Sequence, residues 1–191
     1  MLVHPAELVC SRALRDVALR FAGKLGKMDD VRAVYLVGSV ADRLASRFSD
    51  VDLVVVIRDG GRREEVLGLA RGPVDVWLFE EGEFEEALRR DFVLISKIRG
   101  GEVLFSRDEV MFPKKGVRGR VPATDWLWEG LIALGESMDM ERFWDVFRRA
   151  VYLGAWLGGV DALSVPMALI KLANRFRDLR GLMRSFGGRC C

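Results

Sequence analysis

Three carboxylates and a Gly-Ser pair are the residues of this chain best suited by type and spacing to chemistry. Gly38 and Ser39 are followed, after ten residues, by Asp50-Val51-Asp52, in the stretch VYLVGSVADRLASRFSDVDLVVVI. Side chains two apart on a strand face the same side, so Asp50 and Asp52 project together if the strand starts by Asp50. Two like charges this close repel unless a cation lies between them. Mg²⁺ takes oxygen ligands in octahedral geometry and keeps substrate phosphates in its shell. Asp75 opens VDVWLF and can join the cluster if its strand lies beside the second. Three carboxylates on neighbouring strands can hold two metal ions ~4 Å apart, as in-line phosphoryl transfer requires. Gly38 would let the backbone turn tightly and approach a ligand. A helix opening there would offer free N–H groups to phosphate oxygens, with the Ser39 hydroxyl adding a hydrogen bond. The alternative is purely structural, with Gly-Ser as a helix cap and Asp50 and Asp52 as turn residues.

The elements that must position these residues can be read around them. Apolar residues at Leu8, Val9, Leu14, Val17, Ala18 and Phe21 predict an amphipathic helix over 6–25, ended by Gly23 and Gly26. Residues 32–37 read as a first strand. Val40–Ala45 reads as a short helix with Ser39 as its N-cap. Val51–Ile57, rich in β-branched residues, is a second strand. A helix over 62–71, stopped by Gly72-Pro73, leads to a third strand over 74–79. Residues 83–98 read as mostly helix, and 102–105 as a fourth strand. This alternation predicts an α/β (α+β) domain over 1–110. Residues 111–123, with two prolines, two glycines and four basic residues, read as a linker. Helical segments at about 124–137, 139–158 and 162–185 predict a C-terminal helical domain over 124–191, ending in a disordered tail. Its aromatic stripe, Trp126, Trp128, Trp144 and Trp156 with Phe143 and Phe147, reads as core. Gly154 and Gly158, four apart, would admit another helix closely.

Composition bounds the function classes. The 191 residues are 50% hydrophobic, enough for one good core or two small ones. Net charge is only +2, so nucleic acid is not an expected partner. Residues 2–22 contain no unbroken apolar core, and the longest apolar run, 150–160, is shorter than the ~20 residues that span a bilayer. A soluble, cytoplasmic protein is expected. Cys10, Cys190 and Cys191 fit neither a zinc site nor a disulfide framework. Glutamine is absent and Asn174 is the only asparagine, a depletion that fits a thermophile.

The spaced residues resemble the nucleotidyltransferase superfamily of DNA polymerase β, closest to its minimal nucleotidyltransferase (MNT) type. That pattern is Gly-Ser, ten residues, Asp-x-Asp, then a carboxylate on a later strand, here Gly38, Ser39, Asp50, Asp52 and Asp75. The resemblance covers roughly 30–106 and implies a mixed sheet with flanking helices. It also implies transfer of a nucleoside monophosphate, AMP being the expected one, from an NTP (ATP) to a hydroxyl of a small molecule or a protein. Asp50 and Asp52 would bind two Mg²⁺ ions. Asp75 would bind the catalytic one and help deprotonate the acceptor. Gly38 and Ser39 would hold the leaving phosphates. Many relatives read Gly-Ser-x-Ala-Arg-Gly, whereas Asp42 and Arg43 stand here at the last two positions. An acid works against a triphosphate, and Arg43 and Arg47 are the candidate nucleotide-binding residues that would compensate.

Domains of this type often accompany a helical partner, fused or separate, so a homodimer or a helical partner protein is a second kind of expected contact. HEPN ribonucleases resemble one another in an Arg-x4-His motif. The only histidine here is His4, far from the helical half, which argues against ribonuclease activity. The competing reading of the whole chain is an antitoxin-like or scaffolding protein that uses the same fold to bind a partner with little or no catalysis.

Overall fold

A computed structural model describes residues 5–107, 132, 140–161 and 164–175. The expected linker, nearly all of the helix expected at 124–137, His4 and the Cys190-Cys191 tail lie outside these residues. Helix α1 (Pro5–Leu25) leads into β1 (Val31–Val37), then a single turn of helix, α2 (Gly38–Ala41), and β2 (Val51–Ile57). Helix α3 (Arg63–Leu69) precedes β3 (Val74–Glu80), which is followed by α4 (Glu81–Arg90), α5 (Phe92–Gly100) and β4 (Glu102–Ser106). Beyond these come α6 (Met140–Leu157) and a helix, α7, over 165–175.

The four strands form one mixed sheet in the order β3-β2-β1-β4. β1 pairs antiparallel with β2 and β4, while β2 and β3 run parallel. The near-continuous apolar runs of β1 and β2 reflect burial on both faces, the usual pattern of central strands covered by helices. Val34, Leu36, Leu53, Val55 and Ile57 pack with Ala18, Phe21, Ala22 and Leu25 of α1 and Val66 of α3. Tyr35, Val37, Val54 and Val56 pack on the other face with Phe84 and Leu88 of α4 and Leu94, Ile95 and Ile98 of α5.

Several expectations change. The helix after the Gly-Ser turn is only four residues long, and Val37 occupies the N-cap position, so Ser39 lies inside the turn and does not cap it. The expected helix over 83–98 is two helices. Asp91 breaks it by accepting the Val93 and Leu94 amides at the start of α5, which satisfies N–H groups that the new helix would otherwise leave open. The helical half is joined to the sheet domain by packing: Phe92 of α5 shares a cluster with Val151, Tyr152 and Ala155 of α6 and Ala168 of α7. Gly154 and Gly158 do admit a neighbouring helix. A Cβ at Gly158 would come within 3.2 Å of Leu172. The aromatic stripe is not all core, since Phe143 and Trp144 are about half exposed. No helix of the described residues is long and apolar enough to cross a membrane.

Candidate active site

β1 ends at Val37, and the chain turns back through Gly38 with φ +73°. This is the left-handed region that glycine enters freely. Space makes a second demand on the position, because an added Cβ would overlap the Asp52 carboxylate, 2.8 Å from its Cγ. The turn thus leans directly on the central carboxylate.

Asp52 is the second residue of β2, opposite Val37 on one side and Asp75 of β3 on the other. Parallel neighbours lie ~4.8 Å apart, so the two carboxylates leave the sheet side by side. β2 begins at Val51. Asp50 lies immediately ahead of the strand, exposed, and its charge acts on Asp52. Burial pushes the Asp52 carboxyl above the usual range; a nearby Lys97 opposes this and the Asp50 and Asp75 charges reinforce it. Asp75 is exposed and accepts the Trp77 indole N–H at 3.2 Å.

Lys97, on α5, is the residue that sequence reasoning missed. It is 6% exposed, and its ammonium lies 4.5 Å from the centre of the Trp77 ring. Burial lowers its pKa, while Asp52, Asp75, Asp42 and Asp91 act in the opposite sense. The available signal was a lone lysine inside the apolar run Phe92–Ile98.

Asp42 does not stand free before the site. Its carboxylate accepts a hydrogen bond from the Ser164 hydroxyl, just ahead of α7. Burial raises its pKa, and the Ser164 hydrogen bond, Lys171 and Lys97 pull it back. Tyr152 of α6 is 8% exposed, and burial with the Asp52 and Asp42 charges pushes its hydroxyl up to about 12. At neutral pH it is a proton donor on the helical side of the carboxylates. The helical half thus contributes Tyr152, Ser164 and Lys171 to this region.

Arg43 and Arg47 are not brought to the carboxylates by any contact among the described residues. Arg43 adopts φ +60°, a conformation that side chains other than glycine enter at a penalty. It lines a cavity of about 520 Å³ with Ser11, Arg12, Arg15, Val40, Ala41 and Glu102, between α1 and α2. Arg47 stacks over the ring of the exposed Phe48 at 4.5 Å. Asp52 and Asp75 are brought together and Asp50 is their near neighbour, but no three acidic, histidine or cysteine side chains among the described residues converge enough to ligate one ion.

The family model described as "Polymerase beta, Nucleotidyltransferase" matches residues 22–110. Among solved structures, a candidate nucleotidyltransferase from Sulfolobus solfataricus is similar at 17% identity and TM-score 0.43, covering 56% of this chain and 92% of its own. A nucleotidyltransferase-like protein from Exiguobacterium sibiricum is similar at 16% identity and TM-score 0.35, covering 78% of this chain and 55% of its own. The comparison with curated proteins found no match. The matched segment runs from the end of α1 past β4 and contains Gly38, Ser39, Asp50, Asp52 and Asp75, so that residues 22–110 are similar to the nucleotidyltransferase domain of the polymerase beta family.

Proposed function

We propose that the chain transfers a nucleoside monophosphate, AMP being the expected group, from a magnesium–nucleoside triphosphate to a hydroxyl of a small molecule or a protein. The observation that carries this reading is the Asp52–Asp75 pair on parallel strands, with Gly38 turned against Asp52. The acceptor oxygen attacks the α-phosphorus and forms the new P–O bond. The bond from the α-phosphorus to the bridging oxygen breaks, and pyrophosphate leaves with that electron pair. The acceptor proton passes to a carboxylate. Asp75 suits that task because it is exposed and the Trp77 N–H fixes its Oδ2. A positioned base of this kind contributes roughly 10²–10⁴-fold. Ser39 offers its hydroxyl to the leaving phosphates.

The test is incubation with α-³²P-labelled NTPs, Mg²⁺ and cell extract, beside the Asp50→Ala/Asp52→Ala variant. Label transferred by the wild type alone is the expected result, and the size of the labelled product identifies the acceptor class. Calorimetry that detects no NTP binding would sink the reading. A second reading, a partner-binding scaffold with little catalysis, draws support from the exposed Phe143 and Trp144 on α6. It predicts partner capture that survives Asp50→Ala/Asp52→Ala and is lost in Trp144→Ser.

A further inference from the structure

We infer that Lys97 is the resident cation of the carboxylate cluster and stands in for one of the two divalent ions that three such carboxylates would otherwise take. Lys97 is 94% buried by its 6% exposure, yet among the described residues it makes no hydrogen bond or ion pair. Its ammonium instead lies over the face of Trp77. That ring is itself anchored to Asp75 through the indole N–H. Two contacts thus join Lys97 to Asp75, and Asp75 lies in register with Asp52.

Charge supports the same assignment. A buried ammonium needs compensation, and the acids acting on Lys97 are Asp52, Asp75, Asp42 and Asp91. Asp91 is already engaged by two backbone amides and Asp42 by Ser164, which leaves Asp52 and Asp75 as the charges this ammonium chiefly balances. A divalent ion seated between Asp52 and Asp75 would face the ammonium as a like charge. The carboxylates also do not converge as a three-ligand set. Stacking on Trp77 holds the cation on the α5 side, because an aromatic face attracts an ammonium above it.

The test counts Mn²⁺ bound to the full chain by electron paramagnetic resonance. Mn²⁺ is added alone, and then with an ATP analogue carrying a methylene group between the α- and β-phosphorus atoms. The wild type is expected to bind at most one Mn²⁺ per chain in either condition. Lys97→Met should gain one further ion and bind Mn²⁺ alone at least tenfold more tightly, whereas Lys97→Arg should match the wild type. Two ions on the wild type overturn the inference. So does a folded Lys97→Met with unchanged count and affinity. If that variant does not fold, Lys97→Gln replaces it, and the wild-type count retains the power to refute. The inference rests on the nucleotidyl-transfer reading only in the analogue-bound arm. Absence of nucleotide binding, with the Mn²⁺ gain of Lys97→Met intact, removes that reading and leaves the role of Lys97 standing.

Discussion

Gly38 carries two constraints at once, a left-handed backbone and contact with Asp52. Gly38→Ala should therefore lose activity at least ~100-fold and lower stability by about 1–2 kcal/mol from the backbone alone. A transfer assay beside a thermal melt measures both. Asp52 yields a pH prediction. Its carboxyl is raised above its unfolded value, chiefly by burial. Such a group contributes most to stability below the unfolded pKa, and that contribution is lost as pH rises through the folded one. Asp52→Asn should accordingly melt higher than the wild type at pH 7, with the gain vanishing below about pH 4, where the carboxyl is protonated in both states. Melting curves from pH 3 to 8 decide it, and a constant difference across that range refutes it. Arg43 sits at φ +60°, and among the described residues no side-chain hydrogen bond or ion pair holds it there. Arg43→Gly should stabilise the fold by about 1 kcal/mol, read by denaturant unfolding. A rise in nucleotide KM in the same variant would assign Arg43 to binding.

At the scale of elements, the strands were the most legible part of the sequence. Their valine-rich runs leave little choice, and the observed ends fall within a residue or two of the expected ones. Helix breaks were less legible. Asp91 looks like one more acid in a charged stretch, and only the folded chain shows its oxygen collecting two amides. Asp42 was readable as a departure but not as a contact, because its partner Ser164 lies 122 residues on. Ser164 also accepts the Met167 amide, so it serves both as the cap of α7 and as the tie to α2. Ser164→Ala should cost about 1–3 kcal/mol. Hydrogen exchange should accelerate across 165–175 more than in β1 and β2. Uniform acceleration throughout would show that the tie is not local.

For the whole molecule, the cluster around Phe92 links the helical half to α5, the helix that carries Lys97. Phe92→Ala should destabilise the protein by about 3–5 kcal/mol. It should also raise the nucleotide KM if Tyr152 and Lys171 lose their places. Unchanged binding in a destabilised variant would separate the packing role from the site. Lys97 was legible only as a lone lysine in an apolar run, and its place in the site was not. A lysine in a helix ordinarily reads as solvent-facing, and only the docking of α5 on the face formed by β1 and β2 turns it inward. Trp77, pinned between that lysine and Asp75, gives the site an optical readout. Indole emission responds to charge at its ring and to the hydrogen bond at its nitrogen. The chain has five tryptophans, so the signal is the difference between wild type and Trp77→Phe. That difference spectrum should move whenever a nucleotide or an ion enters, and it would time the entry in a stopped-flow mixer without any attached dye.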